Sequence, residues 1–427
     1  MVFLHLGAAK SGTTYLQNAL WHNRDRLRDE GVLYPGRDHA AHVRAAFDLR
    51  GTFFPDATDP YTRGAWADLV ERVRDWPGRV VISQELFAPT RHERVARALA
   101  DLDFAEVHLV FTARDLARQI PAHWQEDVKN RYTTSFAEFM AALRSRDWEN
   151  SEVAWLFWGL QDPVEVLDRW GSALPPGRVH LVTLPRPGAP SDLLWRRFCR
   201  VIGLDPESCD LSRSFANPSL GLAETQLLLR LNRALEDGDW HFYNDEVKHY
   251  LAQDVLTRRR GSARIGMPAG DHAWAAERAA AMCADLRAAG YDVVGDLDEL
   301  LPGPHPGDGA PHPDSPVWGD LADAGVDAAV AVLRRIAEVE AELAGMPDGD
   351  LTAAERVDLL LDGTGRLAAR VGHLADGTVP LIRRAVRTLS ERHPVVGRMR
   401  EAYWRAQAGE QAGDDQGGGA HDETSTR

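Results

Sequence analysis

The sequence predicts an α/β protein, built as three α/β/α layers around a mainly parallel sheet and followed by a helical C-terminal extension. Short, β-branched apolar runs alternate with helical patterns as far as residue 185. The first of these runs breaks at a glycine-bearing turn and restarts at once as a helix. Beyond about residue 219 the strand patterns stop and helical periodicity takes over.

Taken in order, "VFLHL" (2–6) is a compact buried strand. Gly12 to about Arg28 reads as one helix, with Leu16, Leu20 and Leu27 near one face. "GVLYPG" (31–36) is a second strand closed by Pro-Gly. "GRVVISQELF" (78–87) begins as a third, and "EVHLVFTARD" (106–115) is a fourth. The fourth runs straight into a helix from about Ala117 to Asn130, and "GRVHLVTLP" (177–185) is the fifth. "LGLAETQLLLRLNRAL" and "DHAWAAERAAAMCADLRAAGY" are helical. On this reading the α/β domain occupies 1–301. "PGPHPGDGAPHPDSP" (302–316) is a Pro/Gly linker, 317–407 a helical extension and 408–427 a disordered tail.

The 427 residues carry a formal charge of −15, which argues against a general nucleic-acid or anionic-membrane binder but leaves room for a local basic pocket. Cys199, Cys209 and Cys283 fit neither a zinc motif nor a disulfide framework, so a reducing, cytoplasmic setting is expected. "MVFLHLGAAK" lacks the basic n-region of a signal peptide, and no apolar run reaches the roughly 18 to 20 residues of a membrane span.

The chemistry concentrates in "LHLGAAKSGTTYLQNAL" (4–20). Strand, glycine turn and helix N-terminus in that order make an anion trap, because free N–H groups and the helix dipole point at the ligand. Gly7 and Gly12 let the backbone curl, Ser11, Thr13 and Thr14 add hydroxyls, and Lys10 adds a full charge. A nucleoside-triphosphate loop, GxxxxGK[ST], has its Lys directly after the second Gly. Here Thr13 follows Gly12 and the Lys lies two residues before it.

"AAKSGTTYL" resembles the 5′-phosphosulfate loop of sulfotransferases, written PKSGTTW or PKTGTT, which use 3′-phosphoadenosine-5′-phosphosulfate (PAPS). The resemblance covers roughly residues 1 to 300 and implies a P-loop NTPase-like arrangement. It also implies a 3′-phosphate motif where a later strand enters a helix: an Arg, then a Ser eight positions on. "VFTARDLARQIPAHWQE" supplies Arg114, but Ala122 stands where the Ser is expected. "TRRRGSARIG" (257–266) is similar to the Arg-rich loop of cytosolic members, which nominates Arg259, Arg260 and Gly261. "VHLVTLPRPGAPSDLLWRRFCRVIGL" resembles the late strand, loop and helix of the family.

The resemblance implies in-line transfer of a sulfuryl group to an acceptor hydroxyl or amine, with no metal, provided cationic donors meet the charge on the leaving oxygen. Lys10 takes that role. Backbone amides of 11–14 with Thr13 and Thr14 take the 5′-phosphate. The base is open between Glu85, which follows "VVIS", and His42 or His39, which follow "GVLYPG". His123, Trp124, Trp155 and Trp158 are acceptor-pocket residues or ordinary core; Asn217 and Ser219 are further nucleotide contacts. The acceptor class, whether small molecule, carbohydrate or lipid, is open. The C-terminal helices would cap its pocket, form a homodimer or dock on a partner. Two rivals remain: a kinase or NTPase of the same strand–loop–helix design, and a non-catalytic nucleotide-binding domain, to which Ala122 gives its best support.

Overall fold

The computed structural model describes residues 1–52, 61–213, 219–235, 240–305, 307 and 311–344. Six strands form one all-parallel sheet in the order β2-β3-β1-β4-β5-β6. They are β1 (Val2–His5), β2 (Val32–Leu33), β3 (Arg79–Ser83), β4 (Val107–Ala113), β5 (Val179–Thr183) and β6 (Asp292–Val294). The five expected strands are present. The sixth is three residues long and sits at a sheet edge, too short to leave a pattern.

The strands are apolar on both faces because helices cover both, as parallel sheets require. Val2, Leu4, Ile82, Leu109 and Phe111 point to one face. There α3 (Ala41–Arg50), α4 (Ala65–Arg74), α5 (His92–Asp101) and α9 (Pro163–Gly171) pack, with the far half of α13 (Ala269–Ala289). Phe3, Val81, Val110 and Val182 point to the other, under α1 (Thr13–His22), α2 (Arg24–Asp29) and α10 (Leu193–Ile202). A further group lies beyond the C-terminal half of β4: α6 (Leu116–Lys129), α7 (Phe136–Arg144), α8 (Glu152–Gln161) and α11 (Leu222–Ala234). A short helix, α12 (Trp240–Phe242), runs on as a π-helix over Tyr243–Val255.

The expected first helix is two helices, broken at Asn23. The Asn23 amide donates to Ala19 O (2.9 Å) and Asp210 O (2.8 Å), and its carbonyl accepts from Asp210 N (2.8 Å). A buried side chain that binds a distant loop this way leaves helical geometry, with φ −105° and ψ 11°.

The first compact unit runs from Met1 to Ala324 and so includes the segment expected as a linker. That segment is fastened down. Asp314 accepts from Phe136 N and Ala137 N, both at 2.8 Å, and caps α7, while Gln226 donates to Pro313 O at 2.7 Å. The second unit starts at Gly325; of it, the last stretch of α14 (Trp318–Ala344) is described. The rest of the expected extension and the tail lie outside the described residues.

Strand order reverses beside β1. The chain builds β2 and β3 on one side of it, then crosses to β4 on the other. In open parallel sheets the crevice at such a switch point, beyond the strands' C-terminal ends, is where ligands bind. Both the first loop and Arg114 lie there, after β1 and β4.

Replacing Asn23 with Ala removes the two bonds that join the end of α1 to the 210 loop and a third to Ala19. The expected cost is about 2 kcal/mol, read as a lower urea midpoint with an unchanged slope.

Candidate functional site: the loop after β1

The loop continues the strand pairing past the end of β1. Leu6 N donates to Val110 O (2.9 Å), Ala8 N to Thr112 O (2.6 Å) and Thr112 N to Gly7 O (2.6 Å). The Ser11 hydroxyl turns inward, to Ala8 O (2.6 Å), Thr112 O (2.9 Å) and Thr112 Oγ1 (2.5 Å), and is fully buried. Its amide also donates to Ala8 O. This corrects the expectation for Ser11: its hydroxyl is a strut inside the loop, not a ligand donor.

The loop needs left-handed backbone at Gly7 (φ 95°), Lys10 (φ 64°) and Gly12 (φ 87°). Gly7 is further constrained, since a Cβ there would stand 2.6 Å from Glu85 Cβ. Gly12 caps α1 with no side-chain hydrogen bond, and the first turn carries no acid. No capping side chain bonds the first amides of α1, and helix starts of this kind suit an anion. Lys10 pays for its conformation with roughly 1–2 kcal/mol of strain, since it is not glycine.

Two side chains of α6 and its approach hold the loop from behind. Arg114 Nη1 donates to Lys10 O at 3.3 Å, and Gln119 Nε2 donates to Ala9 O and to Gln161 Oε1. Arg114 Nε is buried and has no hydrogen-bond partner among the described residues. Burial, with help from the neighbouring Arg118, lowers the guanidinium pKa to about 10, against the pull of Asp115. A buried guanidinium with an unmet donor beside an anion-binding turn fits a phosphate. Ala122 lies on the part-exposed face of α6 that also carries Arg118 and Glu126 at four-residue spacing.

The Lys10 ammonium is ion-paired to Glu126. The same carboxylate oxygen holds Lys129 Nζ at 2.5 Å. Burial pushes Glu126 up, but Lys10 and Lys129 outweigh it and hold the carboxyl at about 2. Lys248, from the π-helix, donates to Asn130 Oδ1 at 2.7 Å and feels both Lys10 and Glu126. None of Glu126, Lys129 and Lys248 was singled out from sequence. The contiguity of Glu126 and Lys129 with the helix after Arg114 was the available signal for two of them; Lys248 left none.

Of the expected bases, Glu85 reaches the loop. It opens a 3₁₀ turn directly after β3, abuts Gly7, and accepts from Gln17 Nε2 of α1 at 3.0 Å. His42 is a correction. It is 4 % exposed, with Nε2 2.7 Å from Pro35 O and Nδ1 3.3 Å from Ser83 backbone atoms. Burial lowers its pKa to about 4. Its ring is committed to backbone, tying α3 to β3. His39 packs on Trp21 of α1, ring centres 4.1 Å apart, at the exposed surface.

The Arg-rich loop is fixed to α11. Arg259 Nε pairs with the buried Glu224 at 2.7 Å, and Ser262 donates to the same oxygen at 2.7 Å. Arg260 and Gly261 are exposed. Nothing in this arrangement brings them to the turn after β1. His123, Trp124 and Trp158 are buried core residues. His123 sits between Phe139 and Phe157, bonded to Gln161, and Trp124 donates to Thr134 O. Trp155 is half-buried. Asn217 lies outside the described residues; Ser219 is exposed. Among the described residues no group of three or more His, Cys, Asp or Glu side chains could hold a metal ion, and no helix is long and apolar enough to cross a membrane.

No protein-family model and no curated sequence matches the chain. Its structure is similar to that of a sulfotransferase from Alicyclobacillus acidocaldarius, with 17 % identity over 58 % of this chain and 95 % of that one, and a TM-score of 0.35. That likeness is too slight to assign a family, so function is argued from the site.

Lys10→Gly should be more stable than Lys10→Ala by about 1 kcal/mol, because both lose the ion pair but only Ala keeps the left-handed strain. Equal denaturant midpoints would contradict the loop geometry. Acid should also destabilise the fold in a defined window. Burial holds His5 at about 3, His42 at about 4 and His123 at about 3. These folded values lie below the unfolded value near 6.5, so only the unfolded chain takes up the protons. Stability is full above about pH 7 and falls below 6.5, by up to about 1.4 kcal/mol per pH unit for each histidine. Urea midpoints from pH 7.5 to 5 measure the slope, and His42→Asn should flatten it by about a third.

Proposed function

We propose that this chain transfers a sulfuryl group from PAPS to a hydroxyl or amine of a small-molecule, carbohydrate or lipid acceptor. The observation that carries the reading is the turn after β1. It combines an uncapped helix start, a lysine at its left-handed apex and a buried arginine with an unmet donor against its backbone. A lysine placed before the second glycine is not in the position that lays it along a triphosphate; here it leaves the apex of the turn toward α6, where Glu126 holds its ammonium beside the turn.

The residues divide the work as follows. The first-turn amides of α1, with Thr13 and Thr14, hold the 5′-phosphate. Arg114 meets the 3′-phosphate through its free Nε, and Ala122 contributes no hydroxyl. Lys10 neutralises charge on the oxygen that leaves sulfur. Glu85 accepts the proton of the acceptor group as its oxygen or nitrogen bonds to sulfur. The donor supplies an activated sulfuryl group; the protein supplies alignment and charge. The turn itself supports the donor reading, and the carboxylate against Gly7 favours turnover over simple binding.

Calorimetry with 3′-phosphoadenosine-5′-phosphate tests this, with ATP and magnesium as control. The bisphosphate should bind in preference to ATP. Lys10→Ala should weaken it about tenfold or more, and Glu85→Gln should leave it unchanged. Preference for ATP with magnesium would overturn the reading in favour of a kinase or NTPase.

A further inference from the structure

One carboxylate cannot balance the ammonium groups gathered next to Lys10. Lys10 and Lys129 share Glu126, and Lys248 stands on the far side of Asn130, one residue from Lys129. Lys129 is 5 % exposed. Among the described residues, no carboxylate forms an ion pair with Lys248. The other acids nearby face elsewhere. Asp127 is buried against His123, with Oδ1 3.4 Å from the ring, and burial raises its pKa above the usual carboxylate range. Glu152 accepts from the Tyr132 hydroxyl at 3.1 Å. Burial and mutual repulsion lower the pKa of both Lys129 and Lys248. Burying ammonium groups beyond their counter-charge is costly, and chains retain such groups where an anion completes them.

The elements are braced to keep these amines together. Tyr243 donates to Asn232 Oδ1 at 2.8 Å and lies 3.3 Å from the carbonyls of Val128 and Lys129. Asn232 of α11 donates to Val128 O and Tyr132 O. Two successive segments, α11 and the π-helix, thus converge on the last turn of α6 from about a hundred residues away. A π-helix of this length is rare, and π geometry recurs at functional sites.

The cluster adjoins Lys10, with which Lys129 shares one Glu126 oxygen, and lies at the opposite end of α6 from Arg114. Arg114 and Lys129 are fifteen residues apart on a nearly continuous helical stretch, so roughly 22 Å of helix axis lies between them. With the 3′-phosphate at Arg114 and the transferring group at Lys10, Lys129 and Lys248 fall on the side of the incoming acceptor. We propose that Lys129 and Lys248 form an oxyanion pocket for a carboxylate, phosphate or sulfate group carried by the acceptor. The acceptor is then anionic, and Glu126 is the internal carboxylate that its charge displaces. This rests on the donor reading for its orientation, but the pocket itself does not.

The test uses the full chain and inorganic sulfate as probe, by calorimetry, alone and with saturating bisphosphate or PAPS. Sulfate should bind in all three cases. Lys129→Gln and Lys248→Gln should each weaken it about tenfold, and the exposed Arg178→Gln should not. Lys248→Gln keeps a donor for Asn130, so it removes charge without removing the bond; matching thermal midpoints confirm an intact fold. Three results overturn the proposal: no sulfate binding, equal weakening by Arg178→Gln, or exclusion of sulfate by PAPS but not by the bisphosphate. The last would assign the pocket to the donor's own sulfuryl group. Sulfate binding that persists while neither nucleotide binds would instead sink the donor reading and leave the pocket standing.

Discussion

The site depends on one residue of β4. Thr112 receives the loop through its amide, its carbonyl and its hydroxyl, and so fixes Gly7, Ala8 and Ser11 together. The same hydroxyl lies 3.4 Å from His5 Nε2, whose Nδ1 is 2.8 Å from Ser83 Oγ. A buried polar chain therefore crosses β3, β1 and β4 at their C-terminal ends and finishes in the turn. Such a chain is stable only when every member is satisfied. It explains why the loop can hold three left-handed residues in a row of six: the sheet over-determines its conformation.

From that anchor the electrostatics follow. The turn directs Lys10 toward α6, and α6 answers with Glu126. Glu126 is shared between Lys10 and Lys129, and the two ammonium groups keep the carboxylate far below its usual pKa. A carboxylate so held is a poor proton acceptor. Glu126 is thus a counter-ion, and the proposed function takes its base from the other wall of the crevice, where Glu85 stands.

What the sequence made legible was local. A strand, a glycine turn and a helix start are contiguous, so "VFLHLGAAKSGTT" announced the turn, and "VFTARD" placed Arg114 at a strand end. Side-chain direction within the turn was not legible. Ser11 and Thr13 read alike as hydroxyls beside glycine, and only the pairing with Thr112 shows that Ser11 faces inward. His42 followed the right strand, but its burial comes from α3 closing on Ser83 and Pro35, a tertiary event. Lys248 lies more than a hundred residues from Lys129, on a helix whose docking rests on Tyr243 and Asn232. No spacing rule reaches that far. The break at Asn23 and the docking of 302–316 were hidden for the same reason: each depends on a partner remote in sequence.

The choice between Glu85 and the histidines turns on what a base must be free to do. His42 would have to give up a backbone carbonyl bond and become charged in a site that holds it neutral. His39 lies against Trp21, on the outer side of α1. Glu85 needs neither change. Its neighbour Gln17 belongs to α1, the helix whose N-terminus forms the anion site, and Gly7 lets the carboxylate's own backbone approach the turn. Any side chain at position 7 would meet Glu85 and push the turn after β3 away from the turn after β1. The absence of a Cβ there is therefore what lets Glu85 stand against the lysine-bearing turn, as the proposed function requires.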